Sequence, residues 1–280
     1  MKYKDTTIDS VSDFLFWVKD MNISESNEDV PLNLEHDYGY YRGQSCICWN
    51  LKPSVFREPH LDEHSLLKRA SLQLWNEICS LQSYLERMIF FQHYGLSTRL
   101  LDVTFNPLVA LYVACCDESN LSCDGVVYSG FCTESQNPKI AELTAKYVFE
   151  NELQEVVVGF KHFEKEEKVS INDFLQPIFI QPPINNPRIE AQNGAFIMAP
   201  LFDKKLGEGT ALLNRKGLDG TYYFDNRRAI IQGEKKESIL HELSVLGINS
   251  GTIYRGIEEK LKAIVREEKW KSNCFNNIQL

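Results

Sequence analysis

The sequence has no glycine-rich phosphate signature, no C-x-x-C pair, no apolar run long enough to cross a bilayer and no surplus of positive charge. Each absence removes a class of function. Without G-x-G-x-x-G or G-x-x-x-x-G-K-[ST] there is no Rossmann or P-loop cradle, and without G-x-S-x-G no hydrolase elbow. Without C-x-x-C there is neither a zinc ribbon nor a thioredoxin-like centre. Thirty Lys+Arg against 39 Asp+Glu give a formal net charge of -9. General nucleic-acid affinity, which rests on a basic face, is therefore not the expectation. The first residues, MKYKDTTIDSVSDFLFWVKDM, are polar where a signal peptide needs its apolar stretch. The expectation is a cytoplasmic chain with no membrane segment.

What is present suffices for a large core: 280 residues, 43% hydrophobic and 11% aromatic, which excludes a wholly disordered chain. Eight cysteines are spread as Cys46 and Cys48, Cys115 and Cys116, and the scattered Cys79, Cys123, Cys132 and Cys274. A chain of this size needs no disulfides, so most read as small buried hydrophobes.

Helix and strand signals alternate. Ser10 and Asp13 have capping-box spacing, and Val11, Phe14, Leu15, Val18 and Met21 then share one helical face. Tyr38 to Gln44 reads as an aromatic strand, and Asp62 to Phe91 as one helical stretch. Thr98 to Thr104 is extended. Asn106-Pro107 opens a helix that is apolar almost all round, LVALYVACC, and so belongs in the interior. Further strands are expected at 124–131, 176–181, 194–199 and 228–232, and amphipathic helices near 235–246 and 257–269. Residues 133–170 form a charged, helix-prone insertion. The fold expected is a single α+β domain over 1–280, with central mixed or antiparallel sheets flanked by helices.

Two motif matches carry little. His60-Leu61-Asp62-Glu63-His64 fits H-x-x-E-H, but Pro59 puts His60 at the fraying start of a helix rather than on its face. A polar helix start, with acid near the positive end of the dipole, is the favoured reading. Gly207-Glu208-Gly209 reads as a turn. More informative are charges inside apolar surroundings: Arg42 beside Tyr40, Tyr41 and Gly43; His93, Arg99 and Asp102 within FFQHYGLSTRLLDVT; Arg188 and Gln192 before a strand. Such charges must be paired or must serve a ligand. An Arg99–Asp102 ion pair is the structural alternative to catalysis.

At these residues the chain resembles the FRG domain family, named after a Phe-Arg-Gly motif. Tyr41-Arg42-Gly43-Gln44, Trp49-x-Leu51-x-Pro53-Ser54 and Phe56-Arg57 are similar to its opening segment. Phe91-Gln92-His93-Tyr94-Gly95-Leu96, Thr98-Arg99-Leu100-Leu101-Asp102, Asn106-Pro107-Leu108 and Ala110-Leu111 are similar to its centre, and Arg188-Ile189-x-Ala191-Gln192-x-Gly194-x-Phe196 to a third block. Tyr41 replaces Phe, Ser97 a usual Pro and Val103 a usual Trp. Ile253-Tyr254-Arg255-Gly256 stands where Leu-Phe-Pro-Asp is usual, which leaves the last segment without an expected role. The resemblance covers 38–280 and implies one FRG domain.

The block layout is in turn similar, more distantly, to ADP-ribosyltransferases, which implies that fold and NAD as cofactor. Arg42, Thr98 and Gln192, with Glu190 nearby, would stand at the catalytic places. An arginine suits a pyrophosphate, and a late carboxylate would stabilise the oxocarbenium-like state of nicotinamide–ribose cleavage. Tyr41, Tyr94 or Phe196 would stack on nicotinamide, and His93 or Thr98 would contact ribose or amide. Gly43, Gln44, Arg99, Asp102 and Arg188 would complete the nucleotide site. The implied activity is ADP-ribosyl transfer to a protein or nucleic-acid target, or NAD hydrolysis, as in a bacterial toxin or phage-defence effector. The alternative is a non-catalytic nucleotide- or nucleic-acid-binding module on the same scaffold, with Arg42, Arg99 and Arg188 on phosphates.

Overall fold

A computed structural model describes residues 4–24, 38–58, 61–132, 137–182, 187–217 and 223–254. Strand β1 (Lys4–Ile8) precedes helix α1 (Val11–Ser24). Ser10 opens that helix as its spacing predicts: its hydroxyl accepts from the Asp13 amide and donates to the Asp13 carboxylate. Strand β2 (Tyr38–Gln44) follows. The stretch expected as one helix divides into α2 (Glu63–Gln73), α3 (Trp75–Ile78) and α4 (Tyr84–His93). The division occurs because Ser83 and Glu86 form a capping box of their own, which starts α4 afresh.

Then come β3 (Leu100–Thr104), α5 (Pro107–Cys115), capped by Asn106, and β4 (Gly125–Cys132). The charged stretch supplies α6 (Pro138–Glu150), the short β5 (Val156–Val157) and α7 (Lys161–Glu167). Strand β6 (Ile178–Ile180), helix α8 (Pro187–Gln192) and β7 (Gly194–Met198) lead to a hairpin of β8 (Phe202–Gly207) and β9 (Thr210–Leu213). The turn read at Gly207-Glu208-Gly209 closes that hairpin, with Gly209 at φ 65°. β10 (Arg227–Ile231), α9 (Lys236–Val245) and α10 (Ser250–Tyr254) end the description. The helix expected at 257–269 lies outside the described residues.

The main sheet is mixed, in the order β1-β10-β4-β2-β3-β7-β6. Only the β1–β10 pairing in it is parallel. A smaller sheet runs β5-β9-β8. One face of the main sheet is helix-covered. Phe14, Trp17, Leu111 and Ile239 pack α1, α5 and α9 over its β10–β2 half, and Met88, Phe91 and Ala141 pack α4 and α6 over Phe196 and Met198. The opposite face, with Tyr40, Leu101, Val103, Tyr128 and Ile197, is closed by loop residues such as Leu51 and Phe224. The α+β expectation with a central mixed sheet therefore holds. No helix among the described residues is long and apolar enough to cross a membrane.

The cysteines differ in part from expectation. Cys115 is fully buried, and burial pushes its thiol up to about 12, as suits an inert packing residue. Cys46 and Cys48, however, are joined by a disulfide at the end of β2, with Cys46 buried and Cys48 exposed.

Candidate functional site

Strand β2 alternates its side chains between the two faces. Tyr41 points into the helix-covered core and is only 4% exposed. Its ring is packed away on the face opposite Arg42. Gly43 is required sterically, since a Cβ there would lie 2.0 Å from the Ala110 carbonyl oxygen of α5. Both motif residues thus hold β2 against α5, and the glycine admits the helix rather than a ligand.

Arg42 and Gln44 lie on the loop-covered face with Tyr40, Arg42 opposite Tyr128 of β4. Here the sheet is unusual. β2 and β3 meet at a single register pair, Tyr41 with Thr104, although each is fully laddered to its other neighbour. Continuing that register would set Gly43 against Asp102. Instead the Asp102 carbonyl accepts a hydrogen bond from Nη1 of Arg42, 2.5 Å away. The guanidinium takes the place of the ladder. Its Nε is buried without a partner, as is Oε1 of Gln44 on the same face. Burial lowers the Arg42 pKa from its ordinary value to about 10; the Asp102 charge acts in the opposite direction, and Arg57 reinforces the fall. Arg57, which donates from Nε to the Lys52 carbonyl, therefore sits within electrostatic reach of Arg42.

Arg99 is a different case. It is 1% exposed, and each of its three side-chain nitrogens donates a hydrogen bond. Nε and Nη2 donate to Oε2 of Glu63 at 3.0 and 2.7 Å, and Nη1 to the Pro200 carbonyl. Its amide donates to Oε1 of the same Glu63. The pairing with Asp102 considered from sequence is not made, and the buried guanidinium is held by Glu63 instead of facing a phosphate. Asp102 is exposed and accepts from Nε2 of Gln92, whose Oε1 accepts from the Thr98 hydroxyl. Thr98 is fully buried, and its hydroxyl also accepts from the Leu100 amide, so it too is an internal group.

The third block reaches the same strands. Asn193, at φ 45° in the left-handed region that Asn tolerates, ends α8 and starts β7. The Thr104 hydroxyl donates to the Gln192 carbonyl at 2.6 Å, and the Phe105 amide to the Asn193 carbonyl. Gln192 is half-buried and Glu190 exposed. Phe196, 5% exposed, faces the α4–α6 core and is unavailable for stacking. The side chain of Arg188 lies outside the described residues. At the end of α4, His93 is half-buried edge-on to the ring of Tyr94, which is 70% exposed.

A model of the FRG domain matches residues 38–122. Over those residues the chain is similar to the FRG domain. No curated protein and no solved structure matches it. The FRG residues hold both the open arginine, Arg42, and the closed one, Arg99, while the third block lies beyond the match and joins it through β3 and β7.

Sequence reasoning missed two residues central to this geometry. Glu63 was visible only as a helix-start acid, and Gln92, in the middle of a matching block, passed without a role. Arg57 was quoted as part of the opening segment without the proximity to Arg42 that gives it weight. No group of three or more His, Cys, Asp or Glu among the described residues is placed to hold a metal ion. Two surface hollows, of about 400 and 650 Å³, lie at the start of α2 and beside Gly233. Neither is lined by Arg42, Thr98, Arg99, Glu190 or Gln192.

Proposed function

We propose that the FRG domain binds a nucleotide pyrophosphate at Arg42, with NAD as the ligand. The observation that carries this reading is the unmet hydrogen-bonding capacity of Arg42: a desolvated guanidinium with one carbonyl partner, a buried free Nε–H and a second arginine close by. Buried polar groups left unpaired are rare, and two neighbouring cations are stabilised together by an anion that accepts from both. Gln44, with its own unpartnered oxygen, would accept from the ligand on the same face. The ADP-ribosyltransferase-like fold belongs to this proposal.

Bond cleavage rests on Glu190. It is the one carboxylate of the third block, and it is solvent-exposed before β7. Gln192 is uncharged and its carbonyl is held by Thr104, so Glu190 would have to supply the negative charge that favours an oxocarbenium-like state. Arg99 and Thr98 have no part, because their polar atoms are spent internally.

Titration calorimetry with NAD is the test. Wild type should bind, and Arg42→Ala should weaken binding on the order of 10- to 100-fold, the value of roughly one charge-assisted hydrogen bond. Labelled NAD should release nicotinamide, more slowly in Glu190→Gln. Equal affinity in wild type and Arg42→Ala would overturn the reading. Binding without release would leave the nucleotide-binding module.

A further inference from the structure

The His60–His64 motif, set aside as a zinc site, points to a different site. His64 is 7% exposed, and its Nδ1 lies 2.9 Å from the Val148 carbonyl. A carbonyl only accepts, so Nδ1 carries a proton, and in the tautomer with one proton Nε2 is a lone-pair acceptor. Nε2 makes no hydrogen bond to the described residues and is not among the sealed, partnerless atoms. His64 is among the residues that line the 400 Å³ hollow at the start of α2.

The rest of the wall decides the class of ligand. Lys68 and Arg215 bring two cations, Asp62 and Glu152 two carboxylates, and Ser65 and Gln154 uncharged polar groups. The hollow is charge-balanced. A net anion meets two carboxylates and a net cation meets two cations, each unfavourable at close range. A molecule with separate positive and negative ends satisfies all four. Nε2 adds the demand for an N–H or O–H donor. The volume suits a small ligand.

We propose that this hollow binds a small zwitterion of the amino-acid class. The ligand's carboxylate faces Lys68 and Arg215, and its ammonium faces Asp62, Glu152 and Nε2 of His64. Arg215 is already oriented, since its Nη2 donates to the Leu153 carbonyl at 2.7 Å. The site is separate from Arg42.

The test uses the full chain with its histidine rings labelled with nitrogen-15, titrated with each of the twenty free amino acids singly and with inorganic phosphate. At least one amino acid should move the His64 Nε2 resonance saturably, and phosphate should not. Lys68→Ala, on the helix surface, should weaken that titration about tenfold, the loss of one charge-assisted bond. His64→Asn, whose amide can still donate to Val148 while lacking Nε2, should do the same. A response to phosphate alone would assign an anion site and overturn the proposal. Silence of the resonance to all twenty amino acids at millimolar concentration would overturn it too. Should His64→Asn fail to fold, Lys68→Ala carries the test: unchanged affinity in it refutes the proposed contacts.

Discussion

Two arginines, Arg42 on β2 and Arg99 immediately before β3, belong to neighbouring strands of one sheet. Around Arg99 the structure is closed: 1% exposure, a carboxylate on two of its nitrogens, a carbonyl on the third. Around Arg42 it is open: the β2–β3 ladder stops after one pair and a single carbonyl engages the guanidinium. Residue type does not separate the two, and burial does so only in part, Arg99 being buried and Arg42 half-buried. The separation lies in hydrogen-bond satisfaction. A buried guanidinium with all its needs met is architecture, whereas one with needs unmet is either a stability cost or half of a binding site.

The largest expected effect is on the closed side. Glu63→Ala strands the Arg99 guanidinium without its counter-charge and also removes the acceptor for the Arg99 amide. Breaking a buried pair from one side costs about 3–5 kcal/mol, so the urea midpoint should fall sharply. A loss below about 1 kcal/mol would mean that the pair is well hydrated and the contrast with Arg42 false.

Next is Gly43→Ala, one residue from Arg42 but on the packed side of the argument. Its Cβ would meet the Ala110 carbonyl at 2.0 Å and the Ala114 amide nitrogen at 2.9 Å. These are backbone atoms that cannot swing aside, and overpacking of this kind costs about 1–3 kcal/mol or more. The variant should lose stability by thermal melt. Full retention would show that α5 can withdraw from β2 and that the glycine of the motif serves something other than packing.

Local structure was legible where its signals are local. The Ser10 cap, the Asn106-Pro107 start of α5 and the Gly207–Gly209 turn follow from neighbours in sequence. The partner of Arg99 was not legible, because Glu63 lies 36 residues away and a nearer acid, Asp102, competed for the role. β1 escaped notice because four of its five residues are exposed, which leaves no alternation to read. The fully buried Lys236 likewise gave no sign that its ammonium would bond the carbonyls of Ser45 and Asn120 and so anchor the end of β2. Among the candidate site residues, sequence found Arg42 by its surroundings. It could not tell Tyr41, Arg99 and Phe196, which face inward, from residues on an open face, since that depends on strand register and on which layer covers each side.

The smallest effect is the most discriminating, because it predicts little or no loss where a charge is deleted. Burial lowers the Arg42 pKa from its ordinary value to about 10 in the fold. Below pH 10 both states hold the proton and the fold bears the full cost of desolvating the charge. Above about 10 the unfolded state binds more protons than the native one, so the Arg42 contribution to stability rises with pH. Arg42→Met removes the charge and its cost together. Near pH 8 it should match wild type within about 1 kcal/mol or exceed it, and the difference between the two should move in favour of wild type as pH is raised through 10. Only that difference is informative, since tyrosines and lysines titrate in both proteins. If Arg42→Met instead falls as far as Glu63→Ala, Arg42 is as fully paired as Arg99, the domain has two structural arginines, and no unmet guanidinium remains to hold a ligand.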